Sequence, residues 1–70
     1  MGIVFSKHSK ERMVERKITS LEVQDCINLP DYVITKDGKT ESHKKIGDKL
    51  LKVVYVKEDK LIKIITLMWR

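Results

Sequence analysis

The sequence predicts an α+β domain, with two N-terminal helices packed on one face of a four-stranded antiparallel sheet. Three observations carry this expectation. Apolar residues follow a helical spacing before Pro30 and alternate after it. Thr19 and Glu22 stand three apart, as in a helix-starting capping box. Asp37-Gly38 and Gly47-Asp48 separate β-prone runs, as two-residue hairpin turns do.

The elements follow in order. Ile3-Val4-Phe5 is apolar but too short to distinguish a strand from a lead-in. Ser6 is placed to cap a first helix over roughly Lys7 to Arg16. Phe5, Ser9 and Met13 form its inner face at i, i+4 spacing, beside a polar stripe of His8, Arg12 and Arg16. The second helix begins at the Thr19 box, with Ile18 and Val23 as a hydrophobic staple. Val23, Cys26 and Ile27 are its inner face, and Pro30 ends it near Asn28. Strands are expected over Tyr32–Lys36, Lys39–Ile46, Lys49–Lys57 and Lys60–Trp69, the last pair joined across Glu58-Asp59.

The totals bound the possibilities. Seventy residues form one domain and leave no room for a second. So short a chain buries only about 60% of its unfolded surface, so one helical layer must cover one sheet. Lys and Arg outnumber Asp and Glu by 15 to 10, giving a net charge of +5. That balance suits either a solvated surface or an anionic partner. The single cysteine, Cys26, excludes an intrachain disulfide and occupies an apolar helix position, where it reads as a small buried hydrophobe. The opening residues do not read as a leader, the apolar runs are too short to span a bilayer, and the cytosol is the expected location. Two histidines and one cysteine without paired spacing give no metal site, and three isolated glycines give no phosphate loop, so no cofactor is expected.

Strand register predicts one cluster. With Glu58-Asp59 as a two-residue turn, Tyr55/Ile62, Val53/Ile64 and Leu51/Thr66 share the core face. Val56/Leu61, Val54/Lys63, Lys52/Ile65 and Leu50/Leu67 share the other face. With Gly47-Asp48 as a second two-residue turn, Glu41, His43 and Lys45 join that face, while Lys44 falls on the core face. A histidine among three lysines, Lys45, Lys52 and Lys63, could bind phosphate or be an ordinary solvated sheet face. His8 and Arg12, four apart on one helix face, read either as phosphate or partner contacts or as structural ties.

The stretch Phe5-Ser6-Lys7-His8-Ser9-Lys10-Glu11-Arg12-Met13-Val14-Glu15-Arg16-Lys17-Ile18 resembles the opening of a small uncharacterised family, domain of unknown function 4258. Asn28-Leu29-Pro30, Leu51-Lys52-Val53-Val54-Tyr55 and Ile64-Ile65-Thr66-Leu67-Met68-Trp69 resemble its later segments. The family usually has glycine where Lys17 stands. That family is similar to the RelE/ParE toxin superfamily, so the resemblance implies a single RelE/ParE-like domain. It also implies a toxin-type protein: a metal-independent endoribonuclease acting on messenger RNA, often on the ribosome, and neutralised by an acidic antitoxin-like partner. ParE-like members inhibit gyrase instead. On the nuclease reading His43 is the base or acid, with Lys45 and Lys52 stabilising the crowded phosphate. Lys63, His8, Arg12 and Arg16 are then the nucleic-acid contacts. The alternative is a non-catalytic basic module that binds an acidic protein or nucleic acid.

Overall fold

A computed structural model describes residues 2–70. The elements are β1 (Gly2–Phe5), α1 (Lys7–Arg16), α2 (Ser20–Asn28), β2 (Tyr32–Lys36), β3 (Lys39–Ile46), β4 (Lys49–Glu58) and β5 (Leu61–Trp69). The sheet has five strands in the order β1-β5-β4-β3-β2. This corrects the expected four-stranded antiparallel sheet. The run Ile3-Val4-Phe5 is a strand, and it pairs parallel to β5, from Gly2 opposite Leu61 to Phe5 opposite Ile64. The meander leaves the outer edge of β5 with unpaired N–H and C=O groups, and β1 pairs with its first half, Leu61 to Ile64.

Both helices start with side-chain caps. Ser6 Oγ accepts from the Ser9 amide at 3.1 Å. The Thr19 hydroxyl accepts from the Glu22 amide at 3.1 Å, and the Glu22 carboxylate accepts from the Thr19 amide at 2.9 Å. Helix α1 ends at Lys17, which adopts a left-handed conformation (φ 54, ψ 49). The Ile18 amide then reaches back to Met13 O at 2.9 Å and satisfies an orphan carbonyl of the last turn. Ile18 is thereby turned into the core.

Both helices lie on one side of the sheet, α1 over β5 and β1, α2 over β3 and β4. Between the layers Ile18, Val23, Cys26, Leu51, Val53, Ile62, Ile64 and Leu67 form the buried core. Ser9 is fully buried in α1, where a small side chain lets the helix approach the sheet. Lys44 does fall on the helical face, as its register requires, and its ammonium donates to Leu29 O at 2.8 Å. The lysine therefore ties β3 to the end of α2.

The β3–β4 register is the expected one, with His43 opposite Lys52 and Lys45 opposite Leu50. The β4–β5 register is not. Glu58 pairs with Leu61, so the turn is Asp59-Lys60, with Asp59 at φ 53. Asp tolerates the left-handed region better than Glu58 would. A bulge at Val54/Tyr55 then shifts the pairing, so Val53 faces Leu67 and Leu51 faces Trp69. Leu67 consequently joins the core, and Thr66 moves to the opposite face beside Val54. Burying a leucine in place of a threonine is the more stable solution.

Candidate functional site

Among the described residues, no helix or strand covers the sheet face away from the helices. Register places Lys36 of β2, Lys39, Glu41, His43 and Lys45 of β3, Lys52 and Val54 of β4, and Lys63 and Thr66 of β5 on it. Lysines outnumber carboxylates there, so the face is basic.

His43 lies within this face but does not reach solvent; its exposure is 0%. Tyr32, directly opposite on β2, stacks on it with ring centroids 4.4 Å apart and an interplanar angle of 8°. Lys52 flanks it on the other side. Glu41 Oε1 lies 3.6 Å from His43 Nε2 and 3.5 Å from Lys52 Nζ. At 3.6 Å the His43–Glu41 contact is longer than a hydrogen bond. Neither ring nitrogen of His43 has a hydrogen-bond partner among the described residues.

Tyr32 keeps about half of its surface open, at 47%. A ring fixed from behind by a second ring loses little freedom when a planar ligand stacks on it. Just before β2, Asp31 accepts from the Lys45 amide at 2.7 Å, and the Asp31 amide donates to His43 O at 2.8 Å. These bonds fix the start of β2 against β3. Tyr32, Lys45 and Lys52 are thus held on neighbouring strands of one rigid surface.

The other expected contacts are elsewhere. Lys63 is on the open face, paired with Glu58 at 3.1 Å. His8, Arg12 and Arg16 sit on α1, in the helical layer on the opposite side of the sheet. They are on the side of the sheet away from His43. Arg12 forms a fork with Glu15, both N···O distances 3.0 Å. Arg16 is a structural tie, donating to Leu67 O at 2.7 Å while its own carbonyl accepts from Trp69 Nε1 at 2.6 Å.

Cys26 is fully buried, with Sγ 3.3 Å from Ser42 O. Burial pushes its thiol up to about 11, against a smaller lowering by Lys44. It is a packing residue, as its helix position implies. A cleft of about 320 Å³ opens beside α2, lined by Ile3, Phe5, Gln24, Asn28 and Ile62. Sequence reasoning missed it because it depends on β1 joining the sheet. The Tyr32–His43 stack was missed too, although Asp37-Gly38 sets the register that pairs them. No described helix is long and apolar enough to cross a membrane. Among the described residues, no group of three or more His, Cys, Asp or Glu is arranged to hold a metal ion.

No curated protein matches the chain, and no solved structure does. One family does. The pattern Ser6 to Ile18, the turn at Pro30 and the last two strands all fall within a match over residues 5–69, and the chain belongs to the family described as Domain of unknown function (DUF4258).

Proposed function

We propose that this domain is a non-catalytic interaction module that binds single-stranded nucleic acid on its open sheet face. The observation that carries the reading is the Tyr32 ring, half open and stacked on buried His43, with Lys45 and Lys52 on the adjoining strands. An aromatic platform supplies stacking to any base, and lysines neutralise the phosphates beside it. A single stranded chain fits better than a duplex, because its bases are free to stack.

A toxin-type endoribonuclease acting on messenger RNA, implied by resemblance to RelE-like proteins, needs a base within reach of the 2′-hydroxyl. His43 has no exposed surface from which to act. The geometry therefore favours binding over cutting.

The test is fluorescence anisotropy with labelled single-stranded RNA and DNA and with an acidic peptide, followed by sizing of the recovered RNA. Wild type is compared with Tyr32→Ala and with Lys45→Ala/Lys52→Ala. The expected result is salt-sensitive binding of intact nucleic acid. Tyr32→Ala should weaken it by roughly 5- to 150-fold, the range of one stacked base. The lysine pair should lower the salt slope by about one per lysine. Binding to the acidic peptide alone would reject the reading in favour of a protein partner. Shortened RNA, lost with His43→Ala, would restore the nuclease.

A further inference from the structure

We infer that β2 is an edge for a second copy of this chain, joining two sheets into one ten-stranded sheet across a two-fold axis at Ile34. The inference is independent of the nucleic-acid reading.

β2 is the outer strand of the sheet, and all five of its residues are exposed. Neither helix reaches it, since α2 packs on β3 and β4 and α1 on β5 and β1. Its helix-side residue Val33 is therefore as open as Tyr32 and Ile34 on the other face. Leu29, three residues before the strand, is likewise an open large apolar residue. Edge strands are ordinarily blunted by proline, a bulge or an inward charge. Within β2 itself none of these interrupts Tyr32 to Thr35, and the lysine stands only at the end.

The hydrogen-bonding pattern of β2 is self-complementary. Asp37-Gly38 is a two-residue turn with both residues at positive φ, which makes Lys36 and Lys39 a hydrogen-bonded pair. Alternation then makes Ile34–Glu41 and Tyr32–His43 bonded pairs as well. Val33 and Thr35 consequently direct their N–H and C=O groups away from β3. An antiparallel copy centred on Ile34 places Val33 opposite Thr35 of the other copy, twice. All four outward groups on each strand then meet partners. Ile34 faces its own copy in the closer, non-hydrogen-bonded pair, and Tyr32 faces the aliphatic stem and charge of Lys36. No pair of like charges lies within the paired strands.

The strand is short, so the contact is smaller than the roughly 1,200 Å² of a standard stable interface and the association is weak and concentration-dependent. Each copy carries +5, so added salt should strengthen pairing by screening repulsion. Salt weakens nucleic-acid binding, so the two proposals fail separately.

The experiment is sedimentation equilibrium of the wild type over a concentration series at low and high salt, beside Ile34→Lys and Thr35→Pro. Ile34→Lys sets two like charges at the axis. Thr35→Pro removes an outward N–H that β3 does not use, so the hairpin persists; circular dichroism confirms that both variants fold. The expected result is a shift from 8.2 kDa towards twice that mass, favoured by salt and abolished in both variants. A monomer at every soluble concentration would overturn the inference. So would a dimer that either folded variant leaves intact.

Discussion

Trp69 Nε1 donates to the carbonyl of Arg16 at 2.6 Å, across 53 residues of chain. The bond satisfies one of the carbonyls that the last turn of α1 leaves without an intrahelical partner. Arg16 answers by donating to Leu67 O at 2.7 Å, so the end of α1 and the end of β5 are fastened by two bonds.

Trp69→Phe keeps most of the ring and deletes the donor. It should destabilise the domain by about 1–3 kcal/mol, the cost of leaving a partly buried carbonyl unpaired. Arg16→Lys should lower stability as well while leaving the nucleic-acid affinity of the folded protein unchanged. Urea unfolding and anisotropy, measured on the same samples, check both. Loss of affinity with no loss of stability would return Arg16 to the binding face.

Lys17 holds a left-handed conformation at the end of α1. A side chain there is strained, and glycine is not. Lys17→Gly should therefore raise stability by about 1 kcal/mol, read as a higher urea midpoint at an unchanged slope. An unchanged or lower midpoint would mean that the lysine makes a compensating interaction.

His43 packs as a ring and offers two buried nitrogens with no hydrogen-bond partner among the described residues. His43→Phe should keep the stack with Tyr32, leave stability equal or higher, and preserve nucleic-acid binding. His43→Ala should cost about 2–4 kcal/mol by opening a cavity behind Tyr32. A catalytic role would make the two variants equally inactive; a packing role separates them in unfolding midpoint and in affinity.

The Cys26 thiol is held neutral by burial, its folded value about 11 against 9.0 unfolded. Below pH 9 both states are neutral and the full stability is present. Between about pH 9 and 11 the unfolded thiol ionises while the folded one does not. Stability should fall by up to roughly 1.4 kcal/mol per pH unit across that window. Cys26→Ala should flatten that segment of the profile. In the folded protein, Cys26 should resist a thiol reagent at neutral pH and react only as fast as the domain opens.

Much of this arrangement is readable locally. Ser6 and Thr19 announce both helices, and Asp37-Gly38 and Gly47-Asp48 set the β2–β3–β4 register through His43 opposite Lys52. What escaped depends on distant partners. Ile3 to Phe5 become a strand only because the edge of β5 is free. The bulge at Val54/Tyr55 reflects the gain from burying Leu67, which no turn residue signals. For the candidate site, sequence places His43 among Lys45 and Lys52 but does not reveal that Tyr32 seals it. Arg16 reads as part of a basic helical stripe until the sheet supplies Leu67 and Trp69.

The parallel pairing of β1 with β5 also orders events in time. β2 to β5 are joined by two-residue turns, so each pairing closes a short loop. Gly2 meets Leu61 only after nearly the whole chain has been gathered. Because loop-closure entropy rises with the length enclosed, β1 and the Arg16–Trp69 tie should lock last, after the meander has formed. Weakening β1 should then speed unfolding and leave the refolding rate nearly unchanged. The first strand made is the last one seated, and it sets the lifetime of the fold more than its birth.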